Sequence, residues 1–121
     1  MKQALASAQA GNYDVAGISG KIDALLAENK VVVFSWTRCP FCVKAKGLLS
    51  DLGTDYRAVE LDTMADGAAY RAELAKRTGR TSMPNIFIQG KNYGGCNDGP
   101  GVMTLHKRGE LQPLLRRAGA L

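Results

Sequence analysis

Metal-ligating residues are few in this 121-residue chain. It has three cysteines and one histidine, and no second Cys or His pair completes a four-ligand zinc site. Three cysteines are also too few for a disulfide-stapled secreted scaffold, which points to a reducing compartment. Aromatics make up only 7% of the residues, and the basic residues behind the net charge of +5 are scattered. That pattern argues against a nucleic-acid partner. No apolar run approaches the ~20 residues that a membrane span needs, so no membrane partner is expected. The opening stretch Met1-Lys2-Gln3-Ala4-Leu5-Ala6 lacks the long apolar core of a secretory signal. A cytoplasmic location is therefore expected. The alternative is a plastid or mitochondrion with a transit peptide removed, because the stretch is rich in alanine and poor in acid. What remains is an ordinary composition, 45% hydrophobic and 22% charged, long enough for one domain with a real core.

Against that background one tetrapeptide stands out. Cys39-Pro40-Phe41-Cys42 follows the apolar run Val31-Val32-Val33-Phe34. Two cysteines two residues apart, where a buried strand gives way to a helix, form a pair that can open and close a disulfide. The free backbone N–H groups and positive dipole end of the helix favour a thiolate at Cys39. In Cys-x-x-Cys sites the thiolate is the nucleophile. Cys42 lies one turn further on and faces the same side.

The rest of the chain reads as alternating elements. Ile18, Ile22, Leu25 and Leu26 recur at helical spacing, which predicts a first helix over 18–29 and an N-terminal extension over 1–17. Val31 to Ser35 reads as a strand covered on both faces. Residues 40–52 form a helix stopped by Gly53, and Tyr56 to Leu61 a second strand. Asp62 or Thr63 caps a third helix that runs to Thr78, with Gly79 ending it. Asn85–Ile88 and Lys91–Tyr93 flank Gln89-Gly90 as an antiparallel hairpin. Two short helices close the chain, one ending near Lys107 and one carrying Leu111, Leu114, Leu115 and Ala118. The order αβαβαββαα predicts an α/β fold with a four-stranded mixed sheet and helices on both faces. The dithiol then sits at the carboxyl end of the first strand, where open α/β sheets place their sites.

Three separated blocks carry a family resemblance: Cys39-Pro40-Phe41-Cys42, Thr81-Ser82-Met83-Pro84 and Gly94-Gly95-Cys96-Asn97-Asp98. Together they resemble the glutaredoxins, the glutathione-dependent branch of the thioredoxin-fold oxidoreductases. The likeness covers roughly residues 18–119 and implies a thioredoxin fold with about five helices over a domain spanning 18–121. It implies that Cys39 is the nucleophile and Cys42 the resolving thiol. By the same resemblance the Met83–Pro84 bond is cis, with Pro84 packed near Cys39. The Met83 backbone is then free to pair with the cysteinyl backbone of glutathione, like a one-residue strand addition. Gly95 admits a close ligand. Cys96, Asn97 and Asp98 are expected to open a short helix whose amides bind the γ-glutamyl carboxylate, while Asp98 takes the ammonium. Phe41 resembles the aromatic that flanks glutathione, and Arg80 and Thr81 lie where the family reaches the glycyl carboxylate.

Two departures qualify the resemblance. Trp36 stands where many members carry a lysine that meets the glycyl carboxylate, and Arg38 is the candidate to replace it. Gly99-Pro100-Gly101 looks like a short insertion before the following helix. The implied reaction is reduction of protein–glutathione mixed disulfides through Cys39 alone, and of protein disulfides through Cys39 and Cys42. Glutathione is the co-substrate, no metal is required, and the protein is expected to be a monomer. Partners would be glutathionylated and disulfide-containing client proteins, with glutathione reductase engaged indirectly through oxidised glutathione. A thioredoxin-type reductase would place Trp directly before the first cysteine and Gly-Pro inside the motif, which Arg38 and Pro40-Phe41 do not match. A [2Fe–2S] carrier is the rival from another class, and the proline after Cys39 argues against it.

Overall fold

The computed structural model describes residues 10–121. Its elements run α1 (Val15–Glu28), β1 (Val31–Ser35), α2 (Pro40–Asp51), β2 (Arg57–Glu60), α3 (Gly67–Thr78), β3 (Asn85–Ile88), β4 (Lys91–Gly94), α4 (Val102–Lys107) and α5 (Leu111–Arg117). A single 3-10 turn, Leu61–Thr63, lies between β2 and α3. The four strands form one sheet in the order β2-β1-β3-β4. β1 runs parallel to β2 and antiparallel to β3, and β4 closes the edge antiparallel to β3.

Strand β1 lies at the centre because its unbroken apolar run can be covered from both sides. Alternate side chains of a strand point to opposite faces. Val31 and Val33 enter a cluster with Leu49 of α2, Ile86 and Ile88 of β3, and Leu111 and Leu115 of α5. Val32 and Phe34 enter the other cluster with Ile18 and Ile22 of α1, Leu74 of α3 and Phe87 of β3. The Phe34 and Phe87 rings meet edge-on, 5.8 Å between centroids at 86°. Phe34 is fully buried, so truncating it to alanine costs about 3–5 kcal/mol. The mixed four-stranded sheet with five helices matches the architecture expected from the sequence.

Element ends differ from the sequence expectations for local reasons. Helix α1 starts at Val15, three residues early, because the Asp14 carboxylate caps it by accepting from the Gly17 amide at 3.0 Å. Residues 1–9 of the expected extension lie outside the described residues. Strand β2 is shorter than Tyr56–Leu61, since Tyr56 turns its hydroxyl to Ser50 at 2.9 Å. The third helix does not start at Asp62 or Thr63. Asp62 bonds Thr37 in the neighbouring loop, which leaves its carboxylate unavailable as a cap, and α3 begins at Gly67. Any side chain on Gly67 would collide with the Leu61 carbonyl, so that start requires glycine. Gly79, at φ +74°, ends α3 as expected.

Candidate active site

The first wall of the site is the β1–α2 junction. Cys39 is the N-cap of α2 and Pro40 occupies its first turn, where a missing N–H costs nothing. The Cys42 amide donates to Cys39 Sγ at 3.4 Å, an interaction that strengthens as charge builds on sulfur. The Cys39 amide donates to the Trp36 carbonyl at 3.2 Å. The turn is pinned from below: the Thr37 amide donates to both Asp62 oxygens at 3.1 and 3.0 Å, and its hydroxyl donates at 2.5 Å. Cys39 is partly exposed while Cys42 is buried. Burial, and then the hydrogen bond with Cys39, pushes the Cys42 thiol up to about 11. The two sulfurs are thus unequal. One faces the surface at a helix start, and the other is held protonated inside.

The second wall is the loop before β3. The Met83–Pro84 bond is cis, as the resemblance implies. The Cys39 thiol donates to the Met83 carbonyl at 3.6 Å, which brings the dithiol and the proline loop together. Pro84 and Met83 are both buried. Thr81 is buried as well, and its carbonyl accepts from Arg71 Nε at 2.9 Å.

The third wall is the turn after β4, and here the sequence expectation fails. Cys96, Asn97 and Asp98 do not open a helix. They form an irregular turn closed by Gly95 N–H to the Asp98 carbonyl at 2.8 Å, and α4 begins only at Val102. The first amides of α4 are already taken: Val102 donates to the Gly95 carbonyl at 3.0 Å and Met103 to the Cys96 carbonyl at 2.8 Å. A second cis bond, Gly99–Pro100, lies in this turn. The segment 99–101 therefore separates the turn from the helix, and the first two amides of α4 are not available to a ligand carboxylate. Arg80 crosses from the second wall to the third. Its Nη1 and Nη2 donate to Asp98 Oδ2 and Oδ1 at 2.6 and 3.2 Å. Those hydrogen bonds hold the Asp98 carboxyl below its usual range.

Between the walls lies a cleft of about 340 Å³ lined by Phe41, Arg80, Ser82, Met83, Pro84, Cys96, Asn97 and Asp98. That volume is at the small end of the range for small-molecule sites. Phe41 is 56% exposed at its mouth. Cys96 is 2% exposed, and burial pushes its thiol up. The dithiol lies beside this lining, and three of the glutathione-binding candidates are not brought into it. Thr81 is buried behind it, Gly95 lies beneath the Arg80 guanidinium, and Arg38 stands exposed on the turn before Cys39. Arg38 makes no ion pair or hydrogen bond among the described residues. Trp36 is half-buried, with the Arg71 guanidinium 5.6 Å over its ring. Ser82 and Asp62 were not singled out from the sequence. Ser82 lay within a recognised block, and Asp62 carried only a capping signal.

The chain has counterparts among known proteins. The glutaredoxin family model matches residues 31–92. A chloroplastic glutaredoxin of rice is 48% identical over 101 residues, covering 84% of this chain and 74% of that protein. A castor bean glutaredoxin is 46% identical over the same share of this chain and 96% of its own length. The crystal structure of a buckwheat glutaredoxin–glutathione complex superposes with a TM-score of 0.83 at 40% identity, covering 88% of this chain and 94% of that one. A paired dithiol with one exposed and one buried sulfur, on this fold and at this similarity, leads to one assignment: the chain belongs to the glutaredoxin family of thiol–disulfide oxidoreductases.

Proposed function

We propose that Cys39 carries two routes of glutathione-dependent reduction. In the first, the Cys39 thiolate attacks the glutathione sulfur of a protein–glutathione disulfide. The Cys39–glutathione disulfide forms, and the client leaves as a thiolate that takes a proton. A second glutathione thiolate then attacks the glutathione sulfur of that disulfide, releasing oxidised glutathione and restoring Cys39. In the second route Cys39 forms a disulfide with the client. Cys42 loses its proton and attacks Cys39 Sγ, expelling the client thiolate and closing Cys39–Cys42. Two glutathiones reopen that bond. Each step exchanges one disulfide for another, so electrons enter only from glutathione.

The observation that carries this reading is the partly exposed Cys39 Sγ, 3.6 Å from the Met83 carbonyl beside the cleft. The cysteinyl backbone of glutathione pairs with Met83, whose N–H donates to no group among the described residues. Its γ-glutamyl end lies at Asn97 and Asp98, and Phe41 covers the mixed disulfide. The glycyl carboxylate points to Arg38. Cys96 borders the cleft without taking part in exchange. Glutathionylated and disulfide-bonded client proteins are the substrates, and glutathione reductase recycles the product. The protein acts as a monomer without a resident metal, in the cytosol or another glutathione-reduced compartment.

Serine substitutions of the two cysteines test the division of labour. Cys39→Ser is expected to abolish both routes. Cys42→Ser is expected to keep turnover of a glutathionylated peptide and lose reduction of a protein disulfide. Equal loss of glutathionyl-peptide turnover in both variants would overturn the scheme.

A further inference from the structure

Arg80 joins the two fixed walls of the cleft. Its Nε donates to the Pro84 carbonyl at 3.2 Å on the proline wall, while the two Nη atoms grip both Asp98 oxygens on the glycine-turn wall. The Arg80 side chain is 16% exposed, against 69% for Asp98. A β-carbon on Gly95 would collide with Arg80 Nη2 and come within 3.0 Å of Asp98 Oδ1. The missing side chain at Gly95 is thus the seat of the guanidinium. A fork-to-fork pair fixes the plane of a carboxylate as well as its position. An exposed aspartate without it would spread over several rotamers.

We infer that Arg80 is a positioning residue: it holds the Asp98 carboxylate in the orientation that receives the γ-glutamyl ammonium of glutathione, and does not itself bind the glycyl carboxylate. Three of its five N–H groups already donate to protein acceptors, and Asp98 holds both Nη atoms, so a glycyl carboxylate would gain a bidentate seat only by displacing Asp98. The tether to the Pro84 carbonyl means that the cysteinyl and γ-glutamyl subsites are set relative to each other by one side chain. This inference rests on the glutathione reading above, and its test separates the two.

One reporter peptide is prepared as its mixed disulfide with glutathione, with γ-glutamylcysteine and with cysteinylglycine. Release of the peptide thiol by reduced protein is followed by stopped flow. Wild type is expected to favour the first two over the third. If it treats all three alike, the glutathione reading falls and the inference with it. Arg80→Ala is expected to slow the glutathione and γ-glutamylcysteine disulfides about ten-fold, the size of one charge-assisted hydrogen bond. The cysteinylglycine disulfide, which has no γ-glutamyl group, is expected to change less than about two-fold. Asp98→Ala is expected to reproduce this substrate profile, and Arg80→Ala with Asp98→Ala to lose little more than either alone. Arg80→Lys keeps the charge without the fork and is expected to fall between. If Arg80→Ala fails to fold, Arg80→Lys and Asp98→Ala carry the same comparison. A loss confined to the cysteinylglycine disulfide would make Arg80 a glycyl-carboxylate ligand, and losses that multiply in the double variant would make it independent of Asp98. Either result overturns the inference.

Discussion

The burial of Cys42 gives the dithiol route a pH dependence that the glutathionyl route lacks. With its thiol pushed up to about 11 by burial and by Cys39, only about one Cys42 in 10⁴ is ionised at pH 7. Resolution needs that thiolate. Cys39 no longer raises Cys42 once it is bound in a disulfide, but burial, the larger cause, remains, so the rate is expected to rise well over ten-fold between pH 7.5 and 9.5 and still to be climbing at pH 9.5. An ordinary exposed thiol with a pKa near 8.5 would give only about a ten-fold rise over the same range, flattening above pH 9. The assay starts from Cys39 joined through a disulfide to a fluorescent peptide, and follows release of the peptide after a pH jump without glutathione. Cys42→Ser supplies the baseline and is expected to release nothing. A resolution rate that rises only about ten-fold over this range and flattens above about pH 9 would show that Cys42 ionises as an ordinary thiol, and would refute the argument from burial.

Other perturbations follow from the same geometry. Arg38→Ala is expected to raise the apparent Michaelis constant for glutathione a few-fold at low salt and less at high salt, because an exposed charge is screened; unchanged glutathione dependence at both salts would make Arg38 a bystander. Cys96→Ser is expected to keep most turnover, and Cys96 in the folded protein to react slowly with iodoacetamide, since it is 2% exposed; fast modification would contradict that burial. Glu73 is buried, which raises its carboxyl, but hydrogen bonds from Lys76 and Tyr13 outweigh burial and hold it below the ordinary glutamate value of 4.5. A folded value below the unfolded one gives stability that is present above pH 4.5 and lost as the pH falls through the folded value. Melting temperatures of wild type and Glu73→Gln are accordingly expected to converge on acidification, and a constant gap would contradict the sign.

Sequence patterns revealed whatever local chemistry fixes. The run Val31–Phe34 carries the pattern of a strand covered on both faces, and Gln89-Gly90 marks a tight hairpin between Asn85–Ile88 and the strand that follows. Cys39-Pro40 marked a helix start, because proline fits the first turn and little else in a helix. Readings failed where a residue's partner lay far along the chain. Asp62 has the chemistry of a cap for the next helix, but Thr37, 25 residues earlier, takes its carboxylate, so α3 starts later, at Gly67. Cys96-Asn97-Asp98 has the look of a helix start, yet the helix begins only at Val102, after Gly99-Pro100-Gly101, and leaves an irregular turn. Arg80 and Asp98 are 18 residues apart, and nothing in the spacing tells that they share one ion pair. The dithiol was legible as a pair of neighbours; the cleft beside it is made of groups that only the fold brings together.

The central claim is that Cys39 draws its electrons from glutathione. The most direct measurement is turnover of a small glutathione mixed disulfide, with NADPH consumption reported by glutathione reductase and, in parallel, by a thioredoxin reductase. The account predicts saturable glutathione-dependent turnover in the first system, none in the second, and none for Cys39→Ser in either. A protein silent with glutathione and active with the thioredoxin reductase would contradict it.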